Sequence, residues 1–127
     1  MREIKFRGQC RNGEWKYGHF INWLGIPKIF EDDNYNEPND FIVMPKTIGQ
    51  FTGLVDRDNN ELYEGDIVIF LYAGDTHIGV VVWRKEFGAF KVKAKWQGEI
   101  KYFQLSKSNK FREKIGNVYE NPELLNQ

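Results

Sequence analysis

A thiolate nucleophile and its imidazole base must lie within roughly 3–4 Å of each other. The sequence offers one cysteine, Cys10, and two histidines, His19 and His77. Asn12-Gly13 stands between two alternating segments and predicts a two-residue type I′ hairpin. That register sets Cys10 opposite Trp15, Gly8 opposite Tyr17, Phe6 opposite His19 and Ile4 opposite Ile21 on an apolar face. Arg11 and Glu14, Gln9 and Lys16, Arg7 and Gly18, and Lys5 and Phe20 then pair on the other face. The rise along a strand puts His19 about 13 Å from Cys10, so a Cys-His dyad is not expected. His77 has no second ligand at metal-binding spacing, and one cysteine cannot build a zinc site within a single chain.

Asp56, Asp58 and Asn60 match the first three ligand positions of an EF-hand loop. Glu61, however, stands where the sharp turn requires glycine, and Ile67 where a bidentate glutamate is needed. A hairpin turn accounts for the same residues. Glu64 and Asp66 flank Gly65 and could work as an acid and base, although carboxylates at a strand entry more often brace the backbone. Gly49-Gln50-Phe51-Thr52-Gly53 lacks the lysine and the spacing of a phosphate-cradling loop. No catalytic residue, metal, cofactor or small-molecule substrate is expected, and an enzyme of unknown reaction ranks third among the readings.

Binding chemistry is better represented. Lys91, Lys93 and Lys95 alternate with Phe90, Val92, Ala94 and Trp96, so three ammonium groups point one way at about 6.6 Å intervals, near the spacing of phosphates along a nucleic-acid strand. Lys101, Arg84 and Tyr102 could flank them. The same lysines could instead protect an edge strand from aggregation, which needs no ligand. Phe20, Trp23 and Tyr35 are the aromatic residues expected to be exposed and to form an interface between copies of the chain.

The elements that must position these groups are strands. The chain has 127 residues, of which 41% are apolar and 16% aromatic. A single domain over 1–127 is expected, comprising the hairpin, acidic loop and glycine-rich segment (1–60), a barrel-like β region (61–105) and a C-terminal extension (106–127). Residues 31–40 carry five acids and no base and read as a surface loop. Phe41 to Met44 reads as a short strand. Segments 67–72 and 78–83 are apolar on both faces, as strands inside a sheet are, with a five-residue connection at 73–77. Gln97-Gly98 turns the chain into 99–105, placing Phe103 opposite Val92 and Leu105 opposite Phe90. Together these strands predict a strongly bent antiparallel sheet of the SH3-like small-barrel kind, mainly β, with short helical segments at 106–114 and at 121–125, the latter with an asparagine cap and proline at the first helical position.

Charge bounds the partners. Net charge is zero, yet residues 31–75 hold eleven acids against two bases and residues 84–114 ten bases against three acids. This bipolar pattern suits internal neutralisation, self-association or a basic face for an anion. Charged residues among the first seven leave no apolar core for a secretion signal, and the longest apolar run is far short of the ~20 residues of a membrane span, so a cytoplasmic protein without membrane contact is expected.

Three stretches carry a resemblance. They are Ile4-Lys5-Phe6-Arg7; Ile48-Gly49-Gln50-Phe51-Thr52-Gly53-Leu54 with Asp56 and Tyr63-Glu64-Gly65-Asp66-Ile67-Val68; and Ile115-Gly116-Asn117-Val118-Tyr119-Glu120-Asn121-Pro122-Glu123-Leu124. Together they resemble the YopX family, small proteins of bacteriophages and prophages, over nearly the whole chain. The resemblance implies a phage-encoded, mainly β protein and brings no catalytic residues with it. A non-enzymatic binding module that assembles as a homo-oligomer is the leading expectation, with nucleic-acid binding through Lys91, Lys93, Lys95, Lys101 and Arg84 as its alternative.

Overall fold

The computed structural model describes residues 3–31, 39–105 and 112–126. The chain divides into two compact units, residues 1–51 and 52–127. Regular structure is almost entirely antiparallel sheet, as the mainly β reading expects. Among the described residues no helix is long and apolar enough to cross a membrane.

The first unit contains β1 (Phe6–Gln9), β2 (Trp15–Trp23), β3 (Ile26–Phe30), β4 (Asp40–Ile42), a 3-10 turn (Pro45–Thr47) and the start of β5 (Gly49–Val55). Their order in the sheet is β4-β3-β2-β1-β5. The first hairpin forms, but its register differs from expectation by one residue: Gln9 faces Trp15, Arg7 faces Tyr17 and Phe6 faces Gly18. The cause is the turn. Asn12 uses its side chain locally, its Oδ1 accepting from the Glu14 amide at 3.0 Å, and only Gly13 adopts a left-handed backbone, at φ +94°. A three-residue loop with a glycine bulge results, in place of the two-residue type I′ turn. A slip of one residue sends every side chain to the opposite face. Ile29 and Val43 are buried in this unit, and Val43 packs on Gly8, where even a methyl group would meet its Cγ2 at 2.8 Å.

Two-residue type I′ turns do occur, at Leu24-Gly25, Ala73-Gly74 and Gln97-Gly98, where both residues of each pair have positive φ. Ala73-Gly74 joins β7 (Asp66–Tyr72) directly to β8 (Asp75–Arg84), a shorter connection than the expected 73–77. β9 (Ala89–Trp96) and β10 (Glu99–Gln104) follow, with Phe103 opposite Val92 as the sequence predicts.

In the second unit β6 (Glu61–Tyr63) follows the end of β5, and a five-stranded sheet runs β10-β9-β8-β7-β11, where β11 is Glu113–Asn117. This sheet is open. β10 and β11 stand at its two edges, so the strands do not close into the expected SH3-like barrel. The expected helix at 106–114 is also corrected where it is described: Glu113 and Lys114 belong to β11, which pairs with β7 through a bulge between Lys114 and Gly116. Isoleucine and glycine at 115–116 favour that outcome over a helix. Residues 106–111 lie outside the described residues. Pro122–Asn126 forms a 3-10 turn and not an α-helix.

One face of the five-stranded sheet faces the core, where Val68, Phe70, Val81, Phe90, Val92 and Phe103 cluster with Leu62 of β6. Alternation sends the intervening residues of β7 to β10 to the other, outer face.

Candidate binding surfaces

The residues that suggested catalysis have structural duties. Cys10 is half-buried and burial pushes its thiol up, away from the reactive thiolate. His19 pairs with Phe30 across β2 and β3. His77 places its Nε2 3.1 Å from the Tyr72 carbonyl and packs against the rings of Phe70, Tyr72 and Phe103.

Asp56 is a hub of the second unit. Its Oδ1 accepts from the amides of Asp58 and Asn60 at 2.9 and 2.8 Å, and its Oδ2 from the Lys114 amide at 2.9 Å and from Asn60 Nδ2 at 3.2 Å. Burial works to raise its pKa, but these hydrogen bonds, the Lys114 amide first among them, outweigh burial and leave it lowered. The carboxylate thus ties the turn after β5 to β11, more than fifty residues further along the chain. Arg112 is buried beside this hub; burial pulls its pKa down, against the charge of Asp56. Asp66 is likewise buried, accepting from the Tyr63 amide at 2.7 Å and lying 3.4 Å from Lys114 Nζ, which also donates to the Glu61 carbonyl at 2.9 Å. These carboxylates bind backbone, as strand-bracing groups do.

The expected nucleic-acid residues divide between two faces of the second sheet. Lys91, Lys93 and Lys95 form a column on the outer face. Lys93 stands between Val80 on β8 and Tyr102 on β10, and Lys95 faces Ile100. Arg84 and Tyr102 share this face, with the guanidinium 4.4 Å from the ring centroid. Arg84 is also paired to Glu86 at 3.0 Å, and Lys91 sits 4.6 Å over the ring of Phe87. Lys101 is not part of the column. It faces Ala94, so it points to the core side, where its Nζ donates to the Tyr72 hydroxyl at 3.0 Å and lies about 5 Å from the Tyr72 and Trp96 rings. Among the described residues no hydrogen bond or ion pair engages the ammonium groups of Lys93 and Lys95.

The expected interface residues also divide. In the first unit, register places Ile21, Trp23, Ile26, Lys28 and Ile42 on one face of β2 to β4, with Trp23 directly opposite Ile26 and Lys28 opposite both Ile21 and Ile42. All four apolar side chains are exposed, Trp23 by 60% and Ile42 by 61%. Leu24, at the hairpin tip, is 87% exposed and has a left-handed backbone at φ +51°. Lys28 and Asp40 form an ion pair across the same face at 3.1 Å. Phe20 points the other way, pairing with the fully buried Ile29 and packing 5.8 Å from Phe6. Tyr35 lies outside the described residues. Sequence reading missed β3, and with it Leu24, Ile26 and Ile42; the available signal was Leu24-Gly25 between two β-branched, aromatic-rich segments.

Comparison with known proteins places this geometry. The family model described as YopX protein matches residues 5–126. The crystal structure of protein EF1440 from Enterococcus faecalis has the same fold, with a TM-score of 0.54 at 23% sequence identity over 98% of this chain and 99% of that one. No curated protein matches the sequence.

Proposed function

The chain belongs to the YopX protein family, and from that starting point we propose that it is a non-enzymatic binding module that self-associates through the outer face of β2, β3 and β4. The observation that carries the reading is the apolar face itself: Ile21, Trp23, Ile26 and Ile42 exposed side by side, with Leu24 projecting from the tip. Soluble monomers scatter exposed apolar residues singly, whereas contiguous patches mark interaction sites. The type I′ turn requires a left-handed backbone at this position, where leucine is a costly residue, and such strain gathers at functional positions.

A second copy of the chain suits this face. Among the described residues, the charges that register places among these apolar residues are Lys28 and Asp40, one of each sign, so a twofold contact can set the lysine of one protomer near the aspartate of the other. A charged partner such as nucleic acid gains little from a neutral, apolar surface. Sedimentation velocity from 1 to 100 µM tests the proposal. Wild type should gain mass with concentration, and Trp23→Ser combined with Ile42→Ser should remain monomeric with unchanged circular dichroism. A wild type that is monomeric throughout refutes it, as does a double variant that associates normally.

A further inference from the structure

The outer face of the second sheet is neither plainly solvated nor plainly basic. Its lysine column runs between apolar columns: Ile78 and Val80 precede it on β8, and Ile100 and Tyr102 follow it on β10. Together with the 3-10 turn at Pro122–Asn126 this produces a groove of about 490 Å³, floored and walled by Ile69, Ile78, Val80, Ile100 and Leu125 and edged by Lys93 and Lys95. That volume lies within the roughly 300–1,000 Å³ typical of small-molecule sites, which are mostly apolar with a few polar groups that fix orientation.

The cations on this face are not equivalent. Arg84 is stacked on Tyr102 and paired to Glu86, and Lys91 lies over Phe87. Lys93 and Lys95, engaged by no hydrogen bond or ion pair among the described residues, are the two that border the groove. Sheet geometry spaces them about 6.6 Å apart, close enough for both to act on one anionic head. Lys93 is half-buried, so its ammonium gains more from an anion there than it would in open water.

We propose that this groove binds an amphiphilic carboxylate: the apolar tail lies against Ile69, Ile78, Val80, Ile100 and Leu125, and the carboxylate sits between the ammonium groups of Lys93 and Lys95. Length of tail and single negative charge are both required, because the lining is mostly apolar, with Thr76 and His77 its polar residues besides the lysines, and the lysines offer nothing specific to a neutral tail. A nucleic-acid strand fits less well. Of the five cations expected to hold phosphates, Lys101 faces the other side, while Arg84 and Lys91 are engaged by rings and a carboxylate, so a continuous run of phosphates meets two unengaged ammonium groups.

Calorimetric titration with dodecanoate, dodecanol, acetate and a single-stranded dT oligonucleotide, all below micelle formation and at 50 mM salt, tests the assignment. Dodecanoate should bind, with dodecanol and acetate at least tenfold weaker. Lys93→Gln with Lys95→Gln should weaken dodecanoate at least tenfold, and Ile100→Asp should do the same. Ile100 and Lys95 are exposed, so these variants keep the fold, with circular dichroism as the check. Dodecanol binding as tightly as dodecanoate, variants that bind normally, or oligonucleotide binding without dodecanoate binding would each overturn the proposal. The groove lies in the second unit and the self-association face in the first, so the outcome of either experiment leaves the other informative.

Discussion

Replacing Leu24 by asparagine should separate folding stability from self-association. Leu24 occupies the first position of a type I′ turn at φ +51°, a conformation that costs a side-chain-bearing residue roughly 1–2 kcal/mol and that asparagine tolerates far better. Relief of about 1 kcal/mol is expected in the monomer, or a rise in Tm of roughly 3–5 °C for a chain of this length. Association should move the other way. The leucine is 87% exposed, and burying such a side chain contributes about 1.5–3 kcal/mol. A twofold contact loses it from both copies, about 3–6 kcal/mol in all, so the dimer dissociation constant should rise at least a hundredfold. Stability is read by urea unfolding at sub-micromolar concentration, where association adds nothing, and affinity by sedimentation equilibrium. A less stable variant refutes the assignment of strain to this turn, and unchanged affinity refutes the assignment of Leu24 to the interface.

Asp56→Ala removes a buried carboxylate that holds the amides of Asp58, Asn60 and Lys114 and should cost about 3 kcal/mol, measured as a lower urea midpoint with an unchanged m-value. Because the folded pKa of Asp56 lies below its unfolded value, its contribution is complete above about pH 4 and is lost as pH falls through the folded value. The acid-side loss of stability should therefore be shallower in Asp56→Asn than in wild type, and parallel curves would exclude Asp56 as a source. Gly18→Ala should fail to fold at 37 °C, since its methyl would overlap the Phe30 carbonyl, a backbone atom held in the sheet. Native circular dichroism from that variant would show that the β2 backbone can yield there.

Much of the second unit was legible in the sequence. The alternation of lysine with apolar residues over 89–96 and the glycine at Gln97-Gly98 set the β9-β10 pairing, including Phe103 opposite Val92. Turns were less legible, because a type I′ pair depends on whether the residue before glycine accepts a left-handed backbone. Asn12 spends its side chain on the Glu14 amide and declines, whereas Leu24 and Ala73 accept. Local composition favours the opposite outcome at each. β11 was hidden because its partner, β7, lies more than forty residues away and its own residues carry no alternation. The same difficulty affected the candidate surfaces. Lys101 looked like part of the basic column until cross-strand register set it on the core side, and Ile21, Trp23, Ile26 and Ile42 become neighbours only once three strands are paired. Side-chain chemistry is written in the sequence, but which side chains share a face depends on turn geometry at single residues.

Hydrogen exchange at 1 and at 100 µM, resolved to peptides across residues 19–30 and 40–44, measures directly whether the apolar face of the first unit is covered when copies meet. Slower exchange at high concentration confined to those peptides is the expected result. Concentration-independent exchange there, or protection arising in β10 or β11 instead, would contradict it.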